Sequence, residues 1–202
     1  MLSSVFLLGF WAALFIFVLM APTAAQVPST SEYKGKANYL SNFPSFVEWP
    51  SDSLPPGQAP FLVCVYGGYS FGTSLADAAR SKTVHDKRME IRWVKSEGEL
   101  RACQELFVGR SEEKRYGQLL DTLRAQPVLT VGETPGFLEA GGIVSISSQQ
   151  GELCFDINLG AANKAHLRIS SKMLALARRI VNQAEAASGA GQAGGGRGRN
   201  RL

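Results

Sequence analysis

The chain has 202 residues, enough for one or two domains, and a formal net charge of +4. Three of these four charges come from Arg197, Arg199 and Arg201 near the C-terminus, which leaves +1 for the rest of the chain. So small a surplus gives no case for a nucleic-acid-binding surface. The two histidines and three cysteines show no spacing typical of a zinc site. The composition therefore predicts neither a nucleic-acid partner nor a metal.

The N-terminal segment has the pattern of an export signal. Its first 26 residues carry no charged side chain, and an apolar stretch from Val5 to Met20 is followed by small residues up to Ala25. This arrangement predicts a signal peptide at residues 1–25, cleaved near Ala25, and a periplasmic mature protein. An uncleaved anchor helix is the alternative, although the apolar stretch is shorter than the roughly 20 residues that span a bilayer.

A polar lead at residues 26–31 precedes the stretch YLSNFPSFVEWP, residues 39–50. Apolar side chains recur at helical spacing, which predicts a helix from Glu32 to Val47 with a stripe formed by Tyr39, Phe43, Phe46 and Val47. Pro50 stops this helix at Trp49, whereas Pro44 should kink its last turn. We interpret the stripe mainly as core, with a partner-facing role for part of it as the alternative.

Predicted strands and helices alternate in the middle of the chain. Apolar, β-branched or alternating runs predict strands at residues 61–67, 88–96, 105–109 and 127–133. In the second of these strands, Met89, Ile91 and Trp93 are predicted to form the buried face. Capping residues and apolar periodicity predict helices at residues 73–82, 97–104 and 112–125, the last with an apolar face of Tyr116, Leu119, Leu120 and Leu123.

The C-terminal part predicts a hairpin followed by helices. Ile143–Ser147 and Leu153–Leu159 alternate around a turn at residues 149–151, and a short helix is predicted at residues 161–165. A longer terminal helix, capped by Ser170 or Ser171, has a predicted apolar face of Met173, Leu174, Leu176, Ala177, Ile180 and Val181. Residues 188–202 predict a disordered Gly/Arg-rich tail. We therefore expect one α/β domain at residues 32–187, with a central sheet covered by helices, a C-terminal hairpin and a terminal helix.

One short motif invites a catalytic interpretation. GYSFG, residues 68–72, fits the nucleophile-elbow pattern between a strand and a helix, and Asp121 or Asp156 followed by His166 would complete a Ser–Asp–His order. The pattern is short, and the domain is small for a hydrolase of that type. We interpret the segment as a glycine-rich turn. No catalytic residue and no cofactor is predicted, and a hydrolase at Ser70 is the weakest hypothesis.

Several segments together resemble the YfiR-like family of exported bacterial proteins, over residues 34–181 approximately. They are YLSNFPSFVEWP, FLVCVYG, VLTVGE and LCFDINLGAANKAHLRISSKMLALARRI. The motif residues that carry the resemblance, interpreted as structural, are Phe46, Val47, Glu48, Trp49, Pro50, Gly141, Gly142, Phe155, Asn158, Ser170 and Ser171.

The resemblance implies regulation rather than catalysis. The best-understood member of the YfiR-like family is a periplasmic repressor. It binds the periplasmic sensor domain of an inner-membrane diguanylate cyclase and lowers cyclic-di-GMP synthesis. An outer-membrane lipoprotein sequesters that repressor, and family members form homodimers. For this chain the resemblance implies a non-enzymatic regulator of a membrane signalling protein. The alternative is a periplasmic small-molecule-binding protein, with a pocket near the strand ends, that feeds a sensor or transporter.

The resemblance also implies one disulfide. Cys64 and Cys103 occupy positions where the family carries cysteines, so a Cys64–Cys103 bridge is expected. The family has a second pair in the hairpin, where this chain has Cys154 alone. Cys154 is expected to be a buried, small hydrophobic residue.

Overall fold

The structure is a computed structural model that describes residues 30–68 and 71–182. The predicted signal peptide, the predicted tail and Ser70 lie outside the described residues. The strands of the described part are β1 (Val47–Glu48), β2 (Phe61–Tyr66), β3 (Thr83–Val84), β4 (Lys87–Val94), β5 (Glu105–Val108), β6 (Leu129–Gly132), β7 (Val144–Gln149), β8 (Glu152–Asn158), β9 (Arg168–Ile169) and β10 (Arg179–Val181).

The helices of the described part are short, apart from the first. The α-helices are α1 (Thr30–Asn42), α2 (Ser74–Ala79), α3 (Tyr116–Leu123), α4 (Leu159–Lys164) and α5 (Ser171–Leu176). Four 3-10 helices accompany them, at Phe43–Phe46, Ser51–Ser53, Glu97–Ala102 and Arg110–Arg115. No helix in residues 30–68 and 71–182 is long and apolar enough to cross a membrane.

An eight-stranded sheet in the order β10-β8-β7-β6-β5-β2-β4-β3 organises the domain, and β1 and β9 form a separate two-stranded sheet. The five strands β4, β2, β5, β6 and β7 run parallel to one another. The hairpin partner β8 runs antiparallel to β7, and β10 lies parallel to β8. This arrangement confirms the predicted α/β class with a central sheet and a C-terminal hairpin.

The two faces of the sheet hold separate cores. Every residue of β2 is buried, because Phe61, Val63 and Val65 pack under α1, α2 and α4. The alternate residues Leu62, Cys64 and Tyr66 pack on the other face, under α3 and the 3-10 helix at Glu97–Ala102. The predicted apolar face of α3 is confirmed, since Tyr116, Leu119, Leu120 and Leu123 are all buried.

The first predicted helix is shorter than its apolar spacing indicated. The prediction of helix up to Val47 is wrong beyond Asn42, where the chain tightens into a 3-10 helix and then enters β1. Pro44 explains the break, because it lacks the N–H that an α-helix needs and its ring clashes with the preceding turn. The aromatic side chains still pack as core: the Tyr39 and Phe43 rings stack with centroids 5.4 Å apart, and Phe43 is 3% exposed.

The terminal helix is also shorter than predicted. It ends at Leu176, and residues 179–181 form β10, so the prediction of Ile180 and Val181 on a helical face is wrong. Met173 is buried, whereas the Leu176 side chain is 70% exposed. The physical reason is that the edge of β8 accepts a β-branched segment as a further strand. The pairing begins where the Arg178 N–H donates to the Phe155 carbonyl at 2.9 Å.

The exposed side of β4 shows a third difference. The alternation predicted that Met89 and Trp93 are both buried. Met89 is buried, at 8% exposed, but Trp93 is 47% exposed. Trp93 thus faces solvent near the C-terminal end of β4. The predicted hairpin turn is confirmed, and Gln150 and Gly151 adopt left-handed backbone angles, with φ of 53° and 85°.

Candidate functional site

The two motif segments from opposite ends of the domain meet in space. Val47 pairs with Ile169 and Glu48 pairs with Arg168 in the antiparallel β1–β9 sheet. Next to this pairing, the Ser170 N–H donates to the Phe46 carbonyl at 2.9 Å. We call residues 46–50 together with residues 168–171 the clasp, because these two short segments close the domain.

Trp49 anchors the clasp to the large sheet. Its indole Nε1 donates to the Pro127 carbonyl at 2.9 Å, and its ring lies edge-on to Phe61 with centroids 5.1 Å apart. Pro50 follows in extended backbone, and a 3-10 helix begins at Ser51. On the other segment, the Ser170 hydroxyl accepts the Met173 N–H at 3.3 Å and caps α5, whose first residue is Ser171. These motif residues therefore have structural roles.

Two side chains of the clasp point to solvent instead. The Glu48 and Arg168 side chains are 67% and 83% exposed, and the carboxylate and guanidinium lie 3.6 Å apart. An ion pair this exposed contributes about 0–1 kcal/mol to stability. Packing and stability therefore do not explain why Glu48 belongs to the motif, and both charged groups are accessible to another molecule.

The glycine motif makes room for a buried ring. A Cβ on Gly142 would lie 2.2 Å from the Phe137 ring, and one on Gly132 would lie 2.3 Å from it. Gly141 has a φ of 104°, which disfavours other residues. Phe137 is fully buried and lies edge-on to Tyr116. Gly142 thus serves packing, and Gly141 serves the turn.

Phe155 packs β8 against the first helix and the 3-10 helix that follows it, and Asn158 serves the junction between β8 and α4. The Phe155 ring lies edge-on to both Tyr39 and Phe43, with centroids 5.4 and 5.1 Å apart. The Asn158 Oδ1 accepts the Ala161 N–H at 3.0 Å and caps α4, while its amide nitrogen donates to the Leu138 carbonyl at 3.2 Å.

The structure joins Cys64 of β2 to Cys103, just before β5, in the disulfide that the resemblance implies. The two Cα atoms lie 5.9 Å apart, and the cysteines are 0% and 1% exposed. Cys154 is half-buried rather than fully buried, which corrects the expectation of a buried hydrophobic residue. Its sulfur lies 3.3 Å from the hydroxyl of Ser147, which is its direct partner across the hairpin.

A buried ion network holds α1 against the carboxyl ends of the parallel strands. The Lys36 ammonium lies 2.6 Å from carboxylate oxygens of both Glu32 and Glu133, and the Lys36 and Glu133 side chains are 2% and 3% exposed. The Arg110 N–H donates to the second oxygen of Glu133 at 3.3 Å. Sequence reasoning missed this network. The only local signal is the four-residue spacing of Glu32 and Lys36.

A second feature absent from the sequence predictions is a pocket between α3 and α4, of about 370 Å³. We call it the α3–α4 pocket. Its apolar walls include Leu120, Leu123, Val128, Ile143 and Ala165, and its charged lining residues are Arg124, Glu139 and Lys164. Gly141 and Asn158 of the motif also line it. The spacing of Leu120 and Leu123 predicts a buried helical face but not a cavity under it.

The residues of the rejected hydrolase motif make other contacts. The Asp156 carboxylate accepts two hydrogen bonds from Arg178, at 2.8 and 2.6 Å, and one from Arg179 at 3.2 Å. Burial by itself would raise the pKa of Asp156, but the hydrogen bonds and charges of these two arginines hold it below its ordinary value. Asp121 forms an exposed ion pair with Arg124. No group of three or more His, Cys, Asp or Glu side chains in the described residues could hold a metal ion.

These features define a class of protein: a single α/β domain that is crosslinked by a buried disulfide and closed by a clasp between its two ends. The family comparison goes one step further. Residues 33–178 match the model of the YfiR/HmsC-like family. This span is well over half of the chain, so the protein belongs to the YfiR/HmsC-like family, and the resemblance drawn from the motifs is confirmed.

Two solved structures are more distantly similar. A conserved domain protein from Vibrio cholerae O1 biovar El Tor is 11% identical, with a TM-score of 0.46, over 59% of this chain and 54% of that one. The ABC domain in complex with L-Trp from Streptococcus pneumoniae is 11% identical, with a TM-score of 0.49, over 72% and 60%. In both cases this chain covers less than two thirds of the other protein. At these values neither similarity bears on function.

Proposed function

We propose that this protein is an exported, non-enzymatic regulator that binds the periplasmic sensor part of an inner-membrane signalling protein and represses a diguanylate cyclase, which lowers cyclic-di-GMP synthesis. Family membership over residues 33–178 is the observation that carries this proposal. The leader at residues 1–25 delivers the chain to the periplasm, and the mature protein acts as a homodimer.

Repression follows from a shift in populations. A regulator that binds the inactive state of a receptor more tightly than the active state raises the share of the inactive one. An outer-membrane lipoprotein that sequesters the regulator lowers its free concentration and reverses the shift by mass action. Neither step requires a reactive centre in this chain.

The clasp supplies the docking surface in this proposal. Its buried side chains are accounted for by packing, whereas Glu48 and Arg168 are exposed and contribute little to folding. Exposed charges at the edge of an interface chiefly set the association rate and the choice of partner. A partner that meets this pair therefore presents charges in the complementary arrangement.

The test measures binding of the mature protein to the purified periplasmic domains of the membrane diguanylate cyclases of the same organism, together with cellular cyclic-di-GMP. Glu48→Arg and Arg168→Glu are each expected to slow association severalfold, and the double exchange is expected not to restore it. A matched control is the Glu90–Arg92 pair on β4, whose side chains are 51% and 45% exposed. Its charge reversals should leave binding unchanged.

The outcomes separate the function from the surface. If deletion of the protein leaves cyclic-di-GMP unchanged and the mature domain binds no membrane signalling protein, the proposed function is wrong. If binding is intact in both clasp variants, the proposed function stands and the clasp is not the docking surface. The homodimer is tested separately by light scattering of the mature protein, and a monomeric mass would contradict it.

A further inference from the structure

We infer that the α3–α4 pocket is a binding site for a small organic acid with an apolar body. Its volume of about 370 Å³ falls within the roughly 300–1,000 Å³ that small-molecule sites occupy. This inference stands apart from docking through the clasp, because the two surfaces share no residue.

The walls of the pocket are apolar and buried. Leu120 and Leu123 of α3 are 4% and 3% exposed, Val128 and Ile143 are each 2% exposed, and Ala165 is 3% exposed. These side chains come from separate segments of the chain on both sides of the cavity. Each of these side chains presents only a small edge to the cavity, so an apolar ligand body would gain modest burial there without displacing a side chain.

The walls are also held in place. The Thr130 hydroxyl accepts the Ile143 N–H at 3.0 Å, which fixes the start of β7 to β6. Asn158 is bonded to both Ala161 and Leu138, which fixes α4 to the preceding loop. Because these hydrogen bonds already hold the walls of the pocket in place, ligand binding does not have to pay for ordering them.

The rim of the pocket favours a negative charge. Arg124 and Lys164 lie at the C-terminal ends of α3 and α4, and the one carboxylate in the lining, Glu139, faces Arg179 at 3.9 Å. Arg124 already pairs with Asp121. Lys164 forms no ion pair with any residue in the described parts of the chain, and is the cation free to meet a carboxylate. The negative ends of the two helix dipoles by themselves account for basic side chains at these positions. The observation that points to a ligand is therefore the apolar cavity beside Lys164.

The test uses phenylacetate and its neutral analogue phenylacetamide as probes, with the mature protein labelled at its methyl groups for two-dimensional NMR. Both should shift the methyl signals of Leu120, Leu123 and Ile143 saturably at millimolar concentration. Phenylacetate should bind about fivefold more tightly than the amide, because an exposed ion pair contributes up to about 1 kcal/mol. Lys164→Gln should remove that preference, whereas Lys172→Gln on α5, away from the pocket, should keep it.

A second variant tests the cavity itself. Ala161→Leu places three additional carbon atoms in the lining and should abolish the methyl shifts for both probes while the rest of the spectrum stays native. The inference is overturned if neither probe shifts these methyl signals. It is equally overturned if acid and amide bind alike to the wild-type protein, or if Lys164→Gln retains the preference for the acid.

Discussion

The disulfide between Cys64 and Cys103 gives the sharpest test of the energetics of this fold. The bridge joins residues 39 positions apart. Closing a loop of this length removes chain entropy from the unfolded state that corresponds to about 4 kcal/mol at room temperature. Reduction of the wild-type protein should therefore lower its free energy of unfolding by about 4 kcal/mol, since no side-chain atom other than the two thiol hydrogens is added or removed.

The assay is urea unfolding of the protein without residues 1–25, followed by circular dichroism with and without a phosphine reductant. Both sulfurs are buried, so samples must equilibrate until the reductant has reached the bond through transient opening. In thermal unfolding the same loss should lower Tm by roughly 8–16 °C for a domain of this size. Before reduction, alkylation of the native protein should modify Cys154 alone.

The matched control is the Cys64→Ala/Cys103→Ala protein, whose stability should not respond to reductant. A wild-type stability that falls by less than about 1 kcal/mol on reduction would refute the loop-entropy reasoning. An equal response of the double variant would show that the reductant acts elsewhere. Labelling of Cys64 in the untreated native protein would show that the bridge is absent in solution.

Three further predictions concern buried or paired groups. Glu133→Gln removes one of the carboxylates that contact the buried Lys36, so urea unfolding at neutral pH should show a loss of about 3 kcal/mol; a loss below about 1 kcal/mol would contradict a buried network. Glu105 is fully buried, its carboxylate has no hydrogen-bond partner in the described residues, and burial raises its pKa well above the ordinary value. The unfolded chain therefore ionises first as the pH rises, so wild-type stability falls from about pH 4.3 upward until the folded pKa is passed. The stability of Glu105→Gln should not fall over this range, so the variant should become more stable relative to wild type as the pH rises from acidic to neutral. Parallel pH profiles of the two proteins would contradict the raised pKa of Glu105. Ser147→Cys should form a second disulfide with Cys154, its direct cross-strand partner, as read by non-reducing peptide mass spectrometry; two free thiols after oxidation would count against the hairpin register.

Local sequence patterns predicted the elements whose partners lie nearby. The hairpin follows from alternation around Gln150 and Gly151, and α3 follows from leucines spaced at three and four residues. In both cases the signal and the structure occupy the same dozen residues. The domain class followed from the order of such elements, and the resemblance added the pairing of the two cysteines.

The predictions failed where a distant segment decides local conformation. Val47 and Ile180 both fit a helical stripe, but each belongs to a strand because a strand edge elsewhere in the fold accepts it. The contact between Lys36 and Glu133 spans 97 positions, and neither residue has a neighbour in sequence that reveals it. The α3–α4 pocket likewise depends on how two helices sit over the sheet, which periodicity does not encode.

The clasp also has a consequence for how the molecule is made. Its first segment leaves the ribosome early, but its partner strand is synthesised about 120 residues later, so a growing chain cannot complete the domain until almost all of it has emerged. Contacts of such long range form slowly. A newly made chain therefore lacks a finished domain until late in its synthesis, and a product that stops short of Arg168 leaves β1 without its partner strand.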